Sequence, residues 1–396
     1  MTRVVFLWTK TVLDWRSGGA ISTRAMLEVL ADSGFDCHAI SMTVFDGREE
    51  FPLSRLLGPE LADDRHCGGF IETEIRAVRH QLFRTGSTLG RNVRQSEAES
   101  FLAGAIERLR ALSPDILLCT GGGPLTRELH RCAAAIAPCR VFYLANAAFS
   151  RAEILEPFQH IWCPSRALAR LYRDRLGMEA DVFPNVMLAH SFVQAPDTER
   201  AGAIRRRYVT FINPTPEKGA MLFFRLARLA AMERPDIRFL VIAGRASRTQ
   251  WQFDPDQLPN VQWIPNRRDM RPVYRRTAML LFPTLCFEAA GRVAAEAQLS
   301  GIPVLATRRG GIPEQLNGAG FLFDPPQRLL DDFLAMPTDE DVRPWLDRII
   351  TLHDDPAAWR DASEAARAAA EPFHPRTRNP EVVRVFRDLA SASAAG

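Results

Sequence analysis

Residues 286–316 read CFEAAGRVAAEAQLSGIPVLATRRGGIPEQL. Glu288 follows the apolar run LLFPT, and Glu296 lies inside the helix that Gly291 is predicted to begin. The apolar segment PVLA then predicts a strand, and the glycine pair of RRGG predicts a second tight turn. A strand, a turn of small residues, a helix and another strand form the repeating unit of a parallel α/β sheet.

The same alternation of short apolar runs and helix-period segments extends along most of the chain. Repeated strand-then-helix units with short connections indicate a parallel sheet covered by helices on both faces. We therefore predict an α/β protein with two Rossmann-like doubly wound domains facing across a cleft. The strands are predicted at 4–8, 116–119, 141–144, 161–163, 209–212, 239–243, 261–264, 279–282 and 304–306.

The domain organisation follows from where the alternation stops and restarts. A chain of 396 residues exceeds the usual size of one hydrophobic core, so two domains are expected. The first covers 1–190; it carries a helical insertion near 46–100, with helical stretches predicted near 70–83 and 95–112. A linker occupies 191–206, and the second domain covers 207–370. A C-terminal helix in 371–396 is predicted to pack back on the first domain.

Composition excludes several classes of protein. The formal net charge is +3 and no long basic tract occurs, so nucleic acid is not the favoured partner. The seven cysteines are scattered without a C-x-x-C pair, which favours a reduced, cytoplasmic protein without a zinc or redox site. No apolar run reaches the roughly 18 to 20 residues of a membrane span. Peripheral membrane contact stays open.

Glycine clusters follow four of the predicted strands. Ligands of open parallel sheets bind at the carboxyl ends of the strands, and glycine lets a ligand approach the backbone there. The sequence therefore predicts a site in the cleft between the domains. The clusters are Gly18 with Gly19, Gly121–Gly123, Gly219, and Gly310 with Gly311.

The two glutamates suit a sugar nucleotide. Carboxylates accept hydrogen bonds from neutral hydroxyls, and the N–H groups of Ala289, Ala290 and Gly291 at the helix start favour a diphosphate or a sugar oxygen. The alternative is structural: Glu288 as a capping residue and Glu296 as a solvated helix residue. The spacing alone does not decide between them.

Taken together, the motifs resemble family 4 of the glycosyltransferases, whose members are retaining enzymes of the GT-B fold. The E-x7-E signature of that family appears as EAAGRVAAE, followed by GIPVLATRRGGIPE and preceded by PEKG. The resemblance implies that Glu296 binds the nucleotide ribose, Glu288 a hydroxyl of the transferred sugar and Lys218 the diphosphate. It also implies that the turn after Ile264 frames the base and that Gly244 lines the pocket. The acceptor is expected near Gly18 and Gly19.

Lysine usage supports the role of Lys218 independently. Lys10 and Lys218 are the only lysines in a chain with 50 basic residues. A lysine retained beside Gly219 indicates that a compact point charge is needed there, which a guanidinium replaces poorly. The same scarcity argues against a phosphorylase that holds pyridoxal phosphate on a lysine.

The chain also departs from the family pattern. Asn213 stands where the family usually has an arginine that contacts the diphosphate, so one cation is missing. Arg292, Arg245 and Arg309 are candidate replacements, and Arg292 has the best position; alternatively Arg292 pairs with Glu296 one helical turn away. The histidine that family members often carry after an N-domain strand is not visible. Each of the eight histidines is interpreted as a surface or helix residue.

The resulting hypothesis is a retaining, metal-independent transferase that uses a nucleotide-diphosphate sugar and no other cofactor. In a same-face substitution the departing phosphate accepts the proton of the acceptor hydroxyl, so a histidine base is not required. The sequence Asp-Pro-Asp at 254–256 is interpreted as a solvated turn, and no metal site is predicted. The acceptor is undefined: a glycan, a lipid-linked glycan or a small molecule. The alternatives are a GT-B sugar-nucleotide epimerase and a non-catalytic member that binds a sugar nucleotide.

Overall fold

The computed structural model describes residues 1–47, 49–194, 206–244 and 258–395. The chain divides into two compact units, one formed by Met1–Val186 with Arg378–Gly396 and the other by Met187–Thr377. Most of the predicted linker, Arg245 and the Asp-Pro-Asp sequence lie outside the described residues. In the described parts of the chain, none of the helices has the length and hydropathy of a membrane-spanning segment.

The first unit contains an eight-stranded sheet with the strand order β3-β4-β2-β1-β5-β6-β7-β8. Only the pair β3–β4 is antiparallel; the other neighbouring strands are parallel. Along the chain the elements are β1 (Arg3–Leu7), α1 (Gly18–Asp32), β2 (Asp36–Met42), α2 (Ser54–Leu61), β3 (Phe70–Ile75), β4 (Val78–Phe83), α3 (Gln95–Leu112), β5 (Ile116–Cys119), α4 (Pro124–Ala133), β6 (Cys139–Tyr143), β7 (His160–Cys163), α5 (Arg166–Leu176) and β8 (Asp181–Val182).

The second unit contains a six-stranded, fully parallel sheet with the order β11-β10-β9-β12-β13-β14. Its elements are β9 (Tyr208–Ile212), α6 (Ala220–Glu233), β10 (Arg238–Ile242), β11 (Val261–Ile264), α7 (Arg271–Tyr274), β12 (Thr277–Phe282), α8 (Arg292–Leu299), β13 (Val304–Thr307), α9 (Ile312–Leu316), β14 (Phe321–Phe323), α10 (Gln327–Asp331), α11 (Asp339–Asp354) and α12 (Pro356–Ala370), followed by α13 (Pro375–Ala395), which extends into the first unit.

The core of the second unit shows why these strands form. The ring of Phe223 on α6 packs 5.1 Å from that of Phe211 and 5.6 Å from that of Phe239, centroid to centroid. The central strands are apolar on both faces because helices cover both sides of a parallel sheet. Both sheets are Rossmann-like, as predicted.

The prediction of helix at 70–83 was wrong, because this segment forms the antiparallel hairpin β3–β4. Its polar and apolar residues alternate with the period of a strand, with Ile71, Val78 and Leu82 buried. Arg76 and Ala77 form the turn with φ of 49° and 57°, conformations that a glycine or asparagine would normally mark. The missing glycine removed the usual sequence signal for a hairpin.

The last helix belongs largely to the first unit. Phe386 on α13 contacts the ring of Trp162 at 5.5 Å and that of Phe183 at 6.5 Å. Arg378 lies over Phe183 and donates a hydrogen bond to the carbonyl of Pro184. Aromatic packing therefore holds residues 378–395 against β7 and β8.

Candidate functional site

The second unit reverses its strand order between β9 and β12, which are neighbours in the sheet. Ligands of doubly wound sheets bind beyond the carboxyl ends of the strands at such a point. The loop after β9 contains Lys218, and the loop after β12 contains Glu288. The topology therefore brings two of the predicted site residues to the place where a ligand is expected.

These two loops are hydrogen-bonded to each other through their backbones. The carbonyl of Glu217 accepts from the N–H groups of Leu285 at 2.9 Å and Cys286 at 3.1 Å. Gly219 has a φ of 84°, and a Cβ there would lie 2.0 Å from the carbonyl oxygen of Pro283. Only glycine permits this approach, which explains the glycine after Lys218.

The loop after β13 supports Glu288 from the other side. Gly311 N–H donates to the carbonyl of Glu288 at 2.8 Å, and a Cβ on Gly310 would lie 2.1 Å from the same oxygen. The Nε of Arg309 donates to the carbonyl of Leu285 at 3.1 Å. Arg309 therefore braces the loop, and the glycine pair of RRGG fixes the backbone of Glu288.

Lys218 and Glu288 are in direct contact. The Nζ of Lys218 donates to Oε2 of Glu288, and the two side chains are 23% and 17% exposed. A partly buried ion pair is held more firmly than a surface pair, because less water competes for either charge. The two groups that the resemblance assigns to the diphosphate and to the sugar are thus neighbours.

Glu296 lies at the first turns of α8 with a side chain only 10% exposed. Its Oε1 accepts from Nε of Arg292 at 3.0 Å, and its Oε2 accepts from the hydroxyl of Tyr274 at 2.7 Å. Burial and the neighbouring carboxylate raise the pKa of Tyr274 well above its ordinary value, so the phenol stays protonated. The alternative of a solvated Glu296 is therefore wrong.

The structure engages Arg292 with Glu296, which is the alternative contact that the sequence left open. The side chain of Arg292 is 7% exposed, and the pair spans one helical turn. The Nε of its guanidinium is therefore engaged by the Glu296 carboxylate. The assignment of Arg292 to the second phosphate stays a prediction.

Asn213, Gly244 and Ile264 lie at the carboxyl ends of β9, β10 and β11. Gly244 and the turn after Ile264 were predicted to surround the base, and Asn213 stands at the position of the missing diphosphate arginine. Asn213 N–H donates to the carbonyl of Ile242 at 2.9 Å, and Ala243 N–H donates to that of Ile264 at 3.0 Å. Asn213 has a φ of 59° and Gly244 one of 60°. A Cβ on Gly244 would lie 2.5 Å from Oδ1 of Asn213, so any larger residue at position 244 would clash with Asn213. Asparagine tolerates this left-handed conformation better than arginine does.

Ala289, Ala290 and Gly291 form the turn that leads into α8. Gly291 has a φ of 80° and is the N-cap of the helix. Its carbonyl accepts from Ala294 N–H at 2.9 Å and from Ala295 N–H at 3.2 Å. The N-terminal end of a helix carries partial positive charge, which favours an anion beside Glu288.

Gly18 and Gly19 lie in the first unit, apart in the chain from the cluster just described, and they begin α1. A Cβ on Gly19 would lie 3.3 Å from that of Ala145. The preceding loop holds Lys10, whose Nζ lies 3.0 Å from Oδ1 of Asp46. No sequence pattern predicts this ion pair, because its partners follow different strands.

Two histidines contradict the prediction that every histidine lies on the surface or in a helix. His38 is in β2 and His80 is in β4, and both are buried. Burial lowers the pKa of His80 to about 4, and it lowers that of His130 on α4 to about 3. These rings are neutral packing groups at pH 7.

Tyr274 is the site residue that sequence reasoning missed. It precedes β12, and its hydroxyl reaches Glu296 across 22 positions of the chain. No motif marks it, since the contact depends on how α7 packs beside α8.

Two Rossmann-like sheets of this topology, with a charged cluster at a switch point, define the class of GT-B proteins. The solved structure of sucrose-phosphate synthase from Thermosynechococcus elongatus superposes with a TM-score of 0.70 at 14% identity, covering 99% of this chain and 100% of that one. Anabaena HepE, solved in complex with UDP-glucose, gives 0.67 at 16% identity over 98% and 100% of the two chains. The GT-B fold is confirmed.

Residues 206–339 match the family model described as glycosyl transferases group 1. The gpi3 subunit of phosphatidylinositol N-acetylglucosaminyltransferase from Schizosaccharomyces pombe is 28% identical over 198 residues, 46% of this chain and 41% of that protein. A D-inositol 3-phosphate glycosyltransferase from Arthrobacter sp. (strain FB24) is 29% identical over 165 residues, 39% and 36% of the two chains. This chain thus matches about two fifths of the length of these curated relatives.

The match of residues 206–339 to the group 1 glycosyl transferase model agrees with the resemblance inferred from the motifs, and the fold that the resemblance implied is confirmed. The matched residues include Lys218, Glu288 and Glu296. The family match thus covers the cluster at the β9–β12 switch point.

Proposed function

We propose that the protein transfers a sugar from a nucleotide-diphosphate sugar to an acceptor hydroxyl, with retention of anomeric configuration and without a metal ion. The observation that carries the proposal is the contact between Lys218 and Glu288 at the switch point of the second sheet. The group 1 domain match adds support, as do structural neighbours solved with UDP-glucose or with ADP.

Each charged group has a role that its position supports. Lys218 contacts the diphosphate together with the N–H groups at the start of α8, and Glu288 accepts a hydrogen bond from a hydroxyl of the transferred sugar. Glu296 accepts hydrogen bonds from the ribose. Gly244 and the turn after Ile264 surround the base at the neighbouring strand ends, and Asn213 packs against Gly244.

The reaction places little demand on acid–base chemistry. The bond between the anomeric carbon and the phosphate oxygen breaks, and a bond from the acceptor oxygen forms on the same face. The acceptor proton passes to the departing phosphate oxygen, so the nucleoside diphosphate leaves carrying it. The protein's contribution is to stabilise the charge that develops on the diphosphate, which Lys218 and preorganised N–H groups do without reorganisation.

We expect transfer without a metal ion because the protein itself supplies the positive charge that the diphosphate needs. A fixed ammonium and helix-start amides supply the positive charge that a divalent ion supplies in other transferases. Activity measured with EDTA should therefore equal activity measured with Mg²⁺ within about twofold. A loss of more than about tenfold on chelation would contradict this part of the proposal.

The test is a panel of nucleotide sugars, varied in base and sugar, incubated with and without glycan, lipid-linked and small-molecule acceptors. Acceptor-dependent release of nucleoside diphosphate is expected for one donor, and the coupling constant of the anomeric proton reports the configuration of the product. Lys218→Ala is the matched inactive variant. Binding of a nucleotide sugar without release of nucleoside diphosphate would indicate a non-catalytic member. Epimerisation of the sugar in the absence of an acceptor would indicate an epimerase.

A further inference from the structure

Each oxygen of the Glu296 carboxylate accepts a hydrogen bond from a buried side chain. Tyr274 is fully buried, and its hydroxyl lies 2.7 Å from Oε2. Arg292 contacts the other oxygen, with Nε 3.0 Å from Oε1. We propose that Tyr274 and Arg292 are positioning residues, which fix the Glu296 carboxylate so that its remaining lone pairs meet the two ribose hydroxyls and select ribose over deoxyribose.

The inference rests on the proposed function, in which Glu296 binds the ribose. An ionised carboxylate offers about four lone-pair directions. Tyr274 and Arg292 use one on each oxygen, so one direction on each oxygen is left for a ligand. A vicinal pair of hydroxyls matches two such directions, whereas a deoxyribose can fill only one.

Hydrogen bonds hold the backbone around Tyr274. Tyr274 is the last residue of α7, and its N–H donates to the carbonyl of Met270 at 3.0 Å. The hydroxyl of Thr277 donates to the carbonyl of Val273 at 2.9 Å and lies 2.7 Å from the hydroxyl of Thr210 on β9. The backbone that carries Tyr274 is thus tied through Val273 and Thr277 to the two strands that define the switch point.

Burial makes the two contacts necessary. A carboxylate removed from water loses hydration energy and stays ionised only where hydrogen bonds replace it. A rotating carboxylate would meet ribose hydroxyls in random orientations and would discriminate poorly. Two fixed donors stop the rotation before the ligand arrives, which lowers the cost of ordering on binding.

Discrimination between ribose and deoxyribose separates positioning from mere structural support. The nucleoside diphosphate that binds the wild-type protein best is compared with its 2′-deoxy and 3′-deoxy analogues by calorimetry. The wild type should prefer the ribonucleotide by about 10-fold, the equivalent of one hydrogen bond to a charged group. Tyr274→Phe should reduce this ratio to about 3-fold or less and leave the affinity for the deoxy analogues within about twofold.

Tyr208→Phe is the matched control, because Tyr208 lies at the amino end of β9 and its hydroxyl accepts from Arg276. This variant should keep the wild-type ratio. Equal losses of ribo and deoxy affinity in Tyr274→Phe would overturn the proposal, since a structural role lowers both. If Tyr274→Phe does not fold, the ratio of ribonucleotide to deoxyribonucleotide affinity is measured for Arg292→Lys. A ratio equal to that of the wild type overturns the proposal, and a reduced ratio supports it.

The inference and the proposed function fail in different ways. A wild-type protein that binds ribo and deoxy diphosphates equally overturns the positioning role and leaves the transferase proposal intact. A wild-type protein that binds no nucleoside diphosphate in the panel overturns both.

Discussion

Lys218 donates a hydrogen bond to Glu288, and this contact joins the loops that follow β9 and β12. The two loops are already tied by hydrogen bonds to the Glu217 carbonyl, so the charged pair sits on a fixed backbone. A diphosphate that approaches Lys218 competes with Glu288 for the ammonium. The sugar end of the donor can compensate, because its hydroxyl gives Glu288 a new partner.

The first prediction concerns Lys218 itself. Lys218→Ala should lower kcat/KM by about 100-fold, because roughly 3 kcal/mol of transition-state charge stabilisation is lost. Initial rates with the preferred donor measure the effect. Arg343→Ala is the control, since Arg343 pairs with Glu233 on an exposed part of the second unit. Turnover near that of the wild type in a folded Lys218→Ala protein would remove the diphosphate assignment.

The second prediction separates the two glutamates of the E-x7-E motif. Glu296→Gln should weaken binding of the free nucleoside diphosphate by about tenfold, because the ribose is part of that ligand. Glu288→Gln frees Lys218 from its ion pair, and affinity for the free diphosphate should hold or rise by up to about fivefold. Glu288→Gln should still impair the complex with the intact donor.

Calorimetric titration of the diphosphate and of the donor decides this second prediction. Glu233→Gln, which alters a partner of exposed Arg343, serves as the matched control. Equal losses for both glutamate variants on the free diphosphate would show that the division of roles is wrong.

The third prediction tests why glycine follows Lys218. Gly219→Ala should destabilise the protein by more than about 2 kcal/mol and abolish diphosphate binding, because its Cβ would lie 2.0 Å from the Pro283 carbonyl. Gly177→Ala is the matched control: its φ is 66°, and nothing lies within 4 Å of the added Cβ. That variant should lose only about 1 kcal/mol, the cost of the backbone conformation alone.

Chemical denaturation and calorimetry measure both glycine variants. If Gly219→Ala and Gly177→Ala lose the same stability and both bind the diphosphate, contact with Pro283 does not constrain the loop. The comparison thereby separates the steric cost from the conformational cost.

The sequence predicted those parts of the protein that depend on local pattern. Apolar runs bounded by glycine or proline located the strands β5 and β11 to the residue, and the E-x7-E spacing located both glutamates. The hairpin β3–β4 was misread because its turn uses Arg76 and Ala77 at positive φ in place of glycine. Residues 36–42 were not recognised as a strand, because β2 has polar residues between its apolar ones.

The site was predictable only as far as motifs extend. Tyr274 contacts Glu296 and Asp46 contacts Lys10, and in both pairs the partners are far apart in the sequence. No local pattern predicts such a contact. Arg292 was recognised, but its partner was not decided, since both a phosphate and Glu296 fit its position in the sequence. In the structure Arg292 contacts Glu296 one turn further along α8, and the burial of this pair is a property of the fold.

The last prediction follows from the two conflicting roles of Arg292. If Arg292 replaced the missing diphosphate cation, Asn213→Arg would restore an Arg292→Ala protein. In the structure the Arg292 guanidinium holds Oε1 of Glu296, and Asn213 adopts a φ of 59° against Gly244. A new arginine at position 213 carries a conformational cost of about 1 kcal/mol and gives Glu296 no donor.

We therefore expect Arg292→Ala to weaken binding of the nucleoside diphosphate by about tenfold, because Glu296 then holds the ribose less well. Asn213→Arg should not restore this affinity. In a double-mutant cycle measured by calorimetry, the coupling between the two sites should stay below about 0.5 kcal/mol. Asn213→Gly is the control, because glycine adopts the left-handed backbone conformation at position 213 without strain and adds no charge. Recovery of wild-type affinity in the double variant, with no recovery in Arg292→Ala combined with Asn213→Gly, would show that Arg292 serves the phosphate after all.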